Sequence, residues 1–280
     1  MVELLVVMGI LVILFSIIYP AITKSIETAH QTHALSNLRH LSAAFLQYAA
    51  DHEGRLPYAF AWDELEGSWR FEANVPKPVS IPSGWLKKND SEEEKKGDLF
   101  HWSHAVSRYT KSFAIYEAPS LPLAAMTSPS GGRNAEPARC SFTYNGLLHD
   151  YPYSSVQNPS RTPLLWTGFG KTTLLGYAAS NPFLHCTGKN FASNCQYQSV
   201  SGPKASLFGI RDTSLHVQSM WIYGKSAPVA YIDGSARMQK FGTNTQDPLK
   251  EPFPIYDTNG VPTSYYSNNV APHLFKPDLE

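Results

Sequence analysis

Residues 4–22 read LLVVMGILVILFSIIYPAI, a run softened only by Gly9, Ser16, Tyr19 and Pro20. At 1.5 Å per residue a helix of this length rises roughly 28 Å, the thickness of a bilayer's hydrocarbon core. A helix buried in a protein core is rarely apolar around its whole circumference for so long. A cleaved signal peptide needs a basic start and a small-residue exit; Met1-Val2-Glu3 is not basic and Tyr19-Pro20-Ala21 is a poor cleavage site. A retained membrane-spanning helix fits best. Glu3 stands at its mouth, where an acid buried without a cationic partner costs several kcal/mol. An acid in the first turn also complements the positive end of the helix dipole.

Beyond Ile22 the character changes without a turn signal. From Thr23 to His52, residues Ile26, Leu35, Leu38, Leu41, Phe45 and Tyr48 fall near one stripe, with Lys24, Glu27, Arg39 and Gln47 largely off it. Gly54 and then Pro57 supply a stop. The pattern predicts one helix to about residue 52, some 75 Å if continuous. Its first half is uncovered hydrocarbon and its second half requires a domain on one side. Pro20 removes one helical hydrogen bond and loosens the helix locally. Such a free apolar half has two destinations, a bilayer or a bundle of identical helices.

The rest of the chain narrows the function classes. Lys plus Arg equals Asp plus Glu, 23 of each, so no basic excess points to nucleic acid. Sparse charge with abundant Tyr, Phe, Trp and Pro suits an extracytoplasmic domain rich in turns. Three cysteines are too few for a disulfide scaffold. Cys186 and Cys195 are close enough to close a short loop in an oxidising compartment, leaving Cys140 over; three buried free thiols are the alternative.

Residues 55–98 read as loops, with prolines at 76, 78 and 82 and a mixed-charge, solvated run from Lys87 to Lys96. Strand-like pieces follow at Phe113–Tyr116, Cys140–Tyr144, Pro163–Thr167, Ser219–Tyr223 and Val229–Ile232. The last closes on Asp233-Gly234 as a hairpin before Ala236–Lys240. Amphipathic helices do not separate these runs, so the fold class is α+β: a long N-terminal helix on an antiparallel sheet with long loops. Gly168–Leu215 reads as a loop insertion. The expected organisation is an apolar helix over 1–22, its amphipathic continuation over 23–54, a β-rich domain over 55–242 and an extended tail over 243–280, draped over a neighbour or between subunits.

Val2-Glu3-Leu4-Leu5-Val6-Val7 with Gly9-Ile10-Leu11 resembles the prepilin N-terminal signature shared by type IV pilins and type II secretion pseudopilins. Glu3 matches that family's acid, and Pro20 sits where pilins commonly carry a helix-loosening proline. The family's leader, ending in Gly, and its first two mature residues do not occur in these 280 residues. Cleavage by a prepilin peptidase and methylation of the new N-terminus are therefore implied by the resemblance.

Further along, Ser36-Asn37-Leu38-Arg39-His40-Leu41, Tyr48-Ala49-Ala50-Asp51 and Gly54-Arg55-Leu56-Pro57 resemble large pilin-like proteins with an H-x9-DG element. The stretch from Trp102 to Pro119 is similar to that group's Trp-His…Cys-Pro-Ser segment, with Ala118 in place of the cysteine. Ser141 to Gly146 looks like its Ser-Tyr-x-x-Asn strand, and Val229 to Gly234 like its closing strand and Asp-Gly turn. Tyr223 stands where the histidine is expected, and His216 is off register.

The resemblance implies a structural subunit of a pilus or pseudopilus, a homo-oligomeric helical filament serving adhesion, secretion or a related task. It would rest in the inner membrane before assembly and lie at the cell surface or in an extracellular fibre afterwards. Glu3, Leu4, Leu5, Val6, Val7, Leu11, Phe15 and Pro20 would carry assembly. The alternative is a monomeric, membrane-anchored extracytoplasmic domain that binds a polysaccharide or other envelope ligand through aromatic loops.

No catalytic signature accompanies these features, and neither enzyme activity nor a cofactor is expected. Gly170-Lys171-Thr172 lacks the first glycine of a phosphate loop, Leu165 standing in its place. His101 with His104, and His185-Cys186 with Cys195, fall short of a metal-ligand set. Asp51 and Glu53 are candidates for an oxygen-rich calcium site, and Asp233 is expected to serve its turn.

Overall fold

The computed structural model describes residues 2–63, 68–69, 71–72, 75–76, 79–86, 92–125, 132–186, 195–198, 219–242, 250–251, 253, 256–262 and 273–278. Helix α1 (Val2–Asp51) is unbroken and about 75 Å long at 1.5 Å per residue. It passes through Pro20, whose missing N–H leaves the Ser16 carbonyl without its helical donor. The helix stops where the Gly54 N–H folds back onto the Ala49 carbonyl at 2.8 Å. Glu53 (φ 54°) and Gly54 (φ 73°) take the left-handed conformation this six-to-one closure needs.

Only the second half of α1 is covered. Ala34, Asn37, Leu38, Leu41, Ser42, Phe45, Tyr48 and Ala49 are buried, spaced three and four apart on one face. Leu38, Leu41, Phe45 and Tyr48 of the expected stripe are among them, Leu35 is half-buried, and Ile26 is 51% exposed. Ile26 borders an open cleft and is not packed against the domain.

That face packs on a four-stranded antiparallel sheet of β1 (Thr143–Tyr144), β2 (Pro163–Trp166), β3 (Ser226–Tyr231) and β4 (Ala236–Lys240), in spatial order β4-β3-β2-β1. In β3, Val229 pairs with Trp166 and Arg237, and Ala230 with Leu165 and Ala236. The β3–β4 hairpin turns at Asp233-Gly234 as expected, with Asp233 Oδ1 accepting from the Ser235 N–H (2.9 Å) and hydroxyl (2.6 Å). Asp233 thus serves its turn.

Between helix and sheet, Phe45 lies 5.0 Å from the Tyr144 ring and 5.9 Å from that of Trp102. Trp102 opens helix α3 (Trp102–Thr110), which follows the short helix α2 (Glu92–Asp98). Side-chain bonds from Asn37 to the Glu117 carbonyl (2.9 Å) and from Arg39 to the Ala236 carbonyl (3.4 Å) fix the helix against the domain.

Several local expectations give way to tertiary packing. Phe113–Tyr116 is not a strand: Ala114–Tyr116 forms a 3-10 turn, which stacks the Tyr116 ring on Trp102 (5.5 Å) and brings its hydroxyl to the Ser103 carbonyl. Cys140–Tyr144 splits in two because its ends join different sheets. Arg139–Cys140 pairs with Thr173–Leu175, and Thr143–Tyr144 pairs with β2. Ser219–Tyr223 is a loop. The Gly168–Leu215 insertion contains strands: Thr173–Leu175, Tyr177–Ala178, Phe183–Cys186 and Cys195–Gln198. Thr173–Leu175 also pairs in parallel with Leu123–Ala125, a departure from the all-antiparallel expectation.

The described residues of the tail include several that pack on the chain's own core. Phe253 and Phe275 are buried against Trp166, with ring centroids at 6.3 and 4.7 Å. Asn145, completely buried, ties this closure together. Its amide N–H groups donate to the Pro163 and Phe275 carbonyls, each at 2.9 Å, and its oxygen accepts from the Leu147 N–H. An Asn145→Ala substitution strands two buried carbonyls and one N–H. It is expected to lower domain stability by about 2–4 kcal/mol, read by urea unfolding; Asn145→Asp, which sets a buried carboxylate against two carbonyl oxygens, should destabilise at least as much at pH 7.

Candidate functional site: the uncovered helix half and the clefts at either end of the domain

Every large apolar side chain from Val2 to Ile22 is 44–77% exposed. Glu3, Leu4, Leu5, Val6, Val7, Leu11, Phe15 and Pro20 all lie on this uncovered half and touch nothing in the domain. The segment is long and apolar enough to cross a membrane, with a mean hydropathy of 2.7 over its best window, and none of that window is buried. Leaving this surface in water forgoes on the order of tens of kcal/mol of apolar burial, at 1.5–3 kcal/mol per large side chain. The half-helix is therefore compatible with membrane anchoring or with cover by other helices.

Its hydroxyls, and those of the turns that follow, are turned inward on the helix. Ser16 donates to the Ile13 carbonyl (2.7 Å), Thr23 to Pro20 (3.0 Å), Ser25 to Ala21 (2.8 Å) and Thr28 to Lys24 (2.9 Å). Such back-bonding hides hydroxyls from apolar surroundings and bends helices slightly.

Where α1 enters the domain there is a cleft of about 760 Å³ between Thr23, Ile26, Glu27 and His30 on the helix and the loop around Trp221. The Trp221 indole donates to the Phe241 carbonyl (2.9 Å), and the Lys225 ammonium lies 4.9 Å from its ring centroid. Gly260 passes so close to this ring that a Cβ there would meet it at 2.3 Å, and its φ of +75° independently demands glycine. The sequence carries no local motif for this wall, because its parts lie far apart in the chain.

A second cleft of about 740 Å³ lies at the other end of the domain, around the last turn of α1. Tyr48, Asp51, His52, Tyr58, Phe100 and Arg108 are among its walls. Asp51 accepts from the Tyr109 hydroxyl at 2.9 Å, and Arg55 forks onto both oxygens of Asp150 at 2.7 Å each. Desolvation raises the Tyr48 phenol to about 12, and burial also lifts those of Tyr58 and Tyr109. Asp51 and Glu53 both line this cleft, and among the described residues no three His, Cys, Asp or Glu side chains converge as a metal set.

The other singled-out residues have structural work. His101 caps α3, accepting from the Ser103 N–H, and the His104 ring is bonded to the Ser80 carbonyl at 2.8 Å. Burial lowers the His104 pKa. Cys140 is a buried free thiol on the Phe142 carbonyl, raised by desolvation to about 12 and therefore not nucleophilic. Gly170-Lys171-Thr172 leads into a strand, not the helix a phosphate cradle requires. The Cys186 and Cys195 backbones stand directly opposite each other in their antiparallel pair.

Searches of protein-family models, curated proteins and solved structures each returned no match to this chain.

Beside the second cleft, His149 accepts from the Ala59 N–H at 3.0 Å and stacks on Phe60 at 5.1 Å. Desolvation depresses its pKa from 6.5 to about 3. The folded protein therefore holds a neutral ring while the unfolded chain protonates. Its contribution is complete above pH 6.5 and declines towards pH 3 by up to about 1.4 kcal/mol per pH unit. His149→Asn, which keeps an acceptor for Ala59, is expected to flatten this part of the stability–pH profile in urea melts between pH 7 and pH 4. An unchanged slope would place the acid sensitivity elsewhere.

Proposed function

We propose that the chain is a subunit of an extracellular helical filament of the type IV pilin kind, held in the inner membrane by its N-terminal helix before assembly. The observation that carries this reading is the division of one continuous helix into a half buried on its own domain and an apolar half with no cover of its own. The prepilin-like signature around Glu3 supports it. A simple anchor has no use for helical continuity between membrane span and domain core; a fibre subunit does, because the helix sets each domain's position relative to its neighbours.

Assembly in this reading exchanges lipid for sibling helices. Lipid tails are as apolar as leucine, so the exchange gains little hydrophobic free energy. Close packing and a charge pair must supply the preference, with an assembly machine driving extraction. Glu3 would pair with the N-terminal amine of an adjacent subunit, as the family resemblance implies. In a low-dielectric core such a pair penalises a wrong axial register, because a slipped subunit leaves a buried charge alone. Pro20 would let the helix loosen locally as it leaves the bilayer.

Glu3→Ala is expected to leave the domain folded and membrane-inserted but to abolish incorporation into fibres, seen by electron microscopy of sheared cell-surface material. Normal fibres from that variant would remove the charge-register mechanism. Absence of fibres from the parent as well would favour a membrane-anchored monomer.

Exposure of the domain outside the cytoplasm also has a chemical readout. Directly opposed antiparallel residues sit about 4.5–5.5 Å apart at Cα, within the span of a disulfide. Cys186 and Cys195 are proposed to be joined in an oxidising compartment. Non-reducing peptide mapping should find them linked, with Cys140 the only thiol alkylated after unfolding; three alkylated thiols would refute the bridge.

A further inference from the structure

We infer that the cleft around the last turn of α1 is a binding site for an uncharged oligosaccharide. Its volume of about 740 Å³ lies within the roughly 300–1,000 Å³ of ligand pockets. The inference is independent of filament assembly.

The first argument is the aromatic frame. Phe100 is 44% and Leu99 48% exposed at the cleft, adjacent apolar side chains set beside polar groups. The rings behind them brace one another. Phe100 meets Tyr58 edge-on at 6.5 Å, Tyr48 stacks on His52 at 3.8 Å, and Tyr109 meets Tyr48 edge-on at 6.2 Å. A frame fixed this way loses little freedom on binding. The apolar C–H face of a sugar ring matches such surfaces.

The second argument is charge. The carboxylates of Asp51, Glu53 and Asp150 are balanced by the cations of Arg55, Lys96 and Arg108, three against three. A phosphorylated or sulfated ligand would meet as many carboxylates as cations. An uncharged polyol instead finds donors and acceptors held in place. Arg55 gives Nε–H and Nη2 hydrogens to Asp150, leaving two of its five N–H donors, on Nη1. Asp51 takes one bond from Tyr109 and has further lone pairs to offer. Pre-tied planar groups of this kind suit a row of sugar hydroxyls.

The third argument is position. Tyr48 lies 26 residues along α1 from Ile22, the end of the apolar run, which is about 40 Å of helix. Whatever covers the apolar half, the cleft opens at the opposite end of the domain.

The test uses the full chain in lipid nanodiscs, with cellotetraose, maltotetraose and chitotetraose as neutral probes and tetragalacturonate as the charged one. Saturation-transfer NMR and calorimetry should show at least one neutral probe binding saturably below about 10 mM. Phe100→Ala and Arg108→Gln, both at exposed positions, should each weaken it about tenfold with unchanged circular dichroism and melting temperature. Trp221→Phe, in the distant cleft, should leave it unaltered. No binding by any neutral probe, preference for tetragalacturonate, or full affinity in Phe100→Ala would each overturn the assignment. Glu3→Ala should bind the probe as the parent does, so a failed filament assay and a failed saccharide site are separate results.

Discussion

One constraint governs the molecule: α1 carries apolar surface along its whole length, and the domain covers only the part beyond about His30. In the covered half, contacts at three- and four-residue spacing let a single face nucleate the core, with Phe45 between Tyr144 and Trp102. In the uncovered half no face is preferred, because every face is hydrocarbon. The first half contributes nothing to the domain's core, and its apolar surface is compatible with a membrane or with cover by other helices. Function follows from what supplies that cover.

Much of this was legible in the sequence because its signals are local. The apolar run, the change to one-sided periodicity and the Gly54–Pro57 stop each lie within a few residues, and the helix ends one residue short of the expected His52. The Asp233-Gly234 hairpin was legible for the same reason. What escaped was decided at long range. Ala114–Tyr116 looks strand-like, yet Tyr116 is claimed by Trp102 and Ser103. The Pro- and Asn-rich tail has no period, yet Phe275 is claimed by Trp166 and Asn145. Both clefts escaped because their walls meet only in three dimensions. Arg55 and Asp150, for instance, are 95 residues apart.

Buried polar groups in the domain are spent mainly on closure. Asn145 holds an irregular C-terminal segment to the edge of the sheet, and His101, His104 and His149 each satisfy backbone groups where loops cross the core. A sequence reader looking for metal or acid–base chemistry is drawn to such histidines. Here they are engaged with backbone groups, and desolvation holds His104 and His149 below their ordinary pKa. The polar groups at the distal cleft differ in being tied to each other at the surface, where part of their hydrogen-bonding capacity stays open.

The unbroken passage of α1 from its apolar half into the domain also makes it a screw. Each residue of helix advances 1.5 Å and turns about 100°, so the length between Ile22 and His30 sets the direction in which the distal cleft points relative to the apolar half. One residue inserted there would swing the domain by more than a quarter turn while scarcely lifting it. Removing seven would bring it back to within about 20° of its original heading, one storey of roughly 10 Å lower. The bearing of the domain around the axis is therefore written in residue count, and natural variation in this stretch should come in steps that respect the helical repeat.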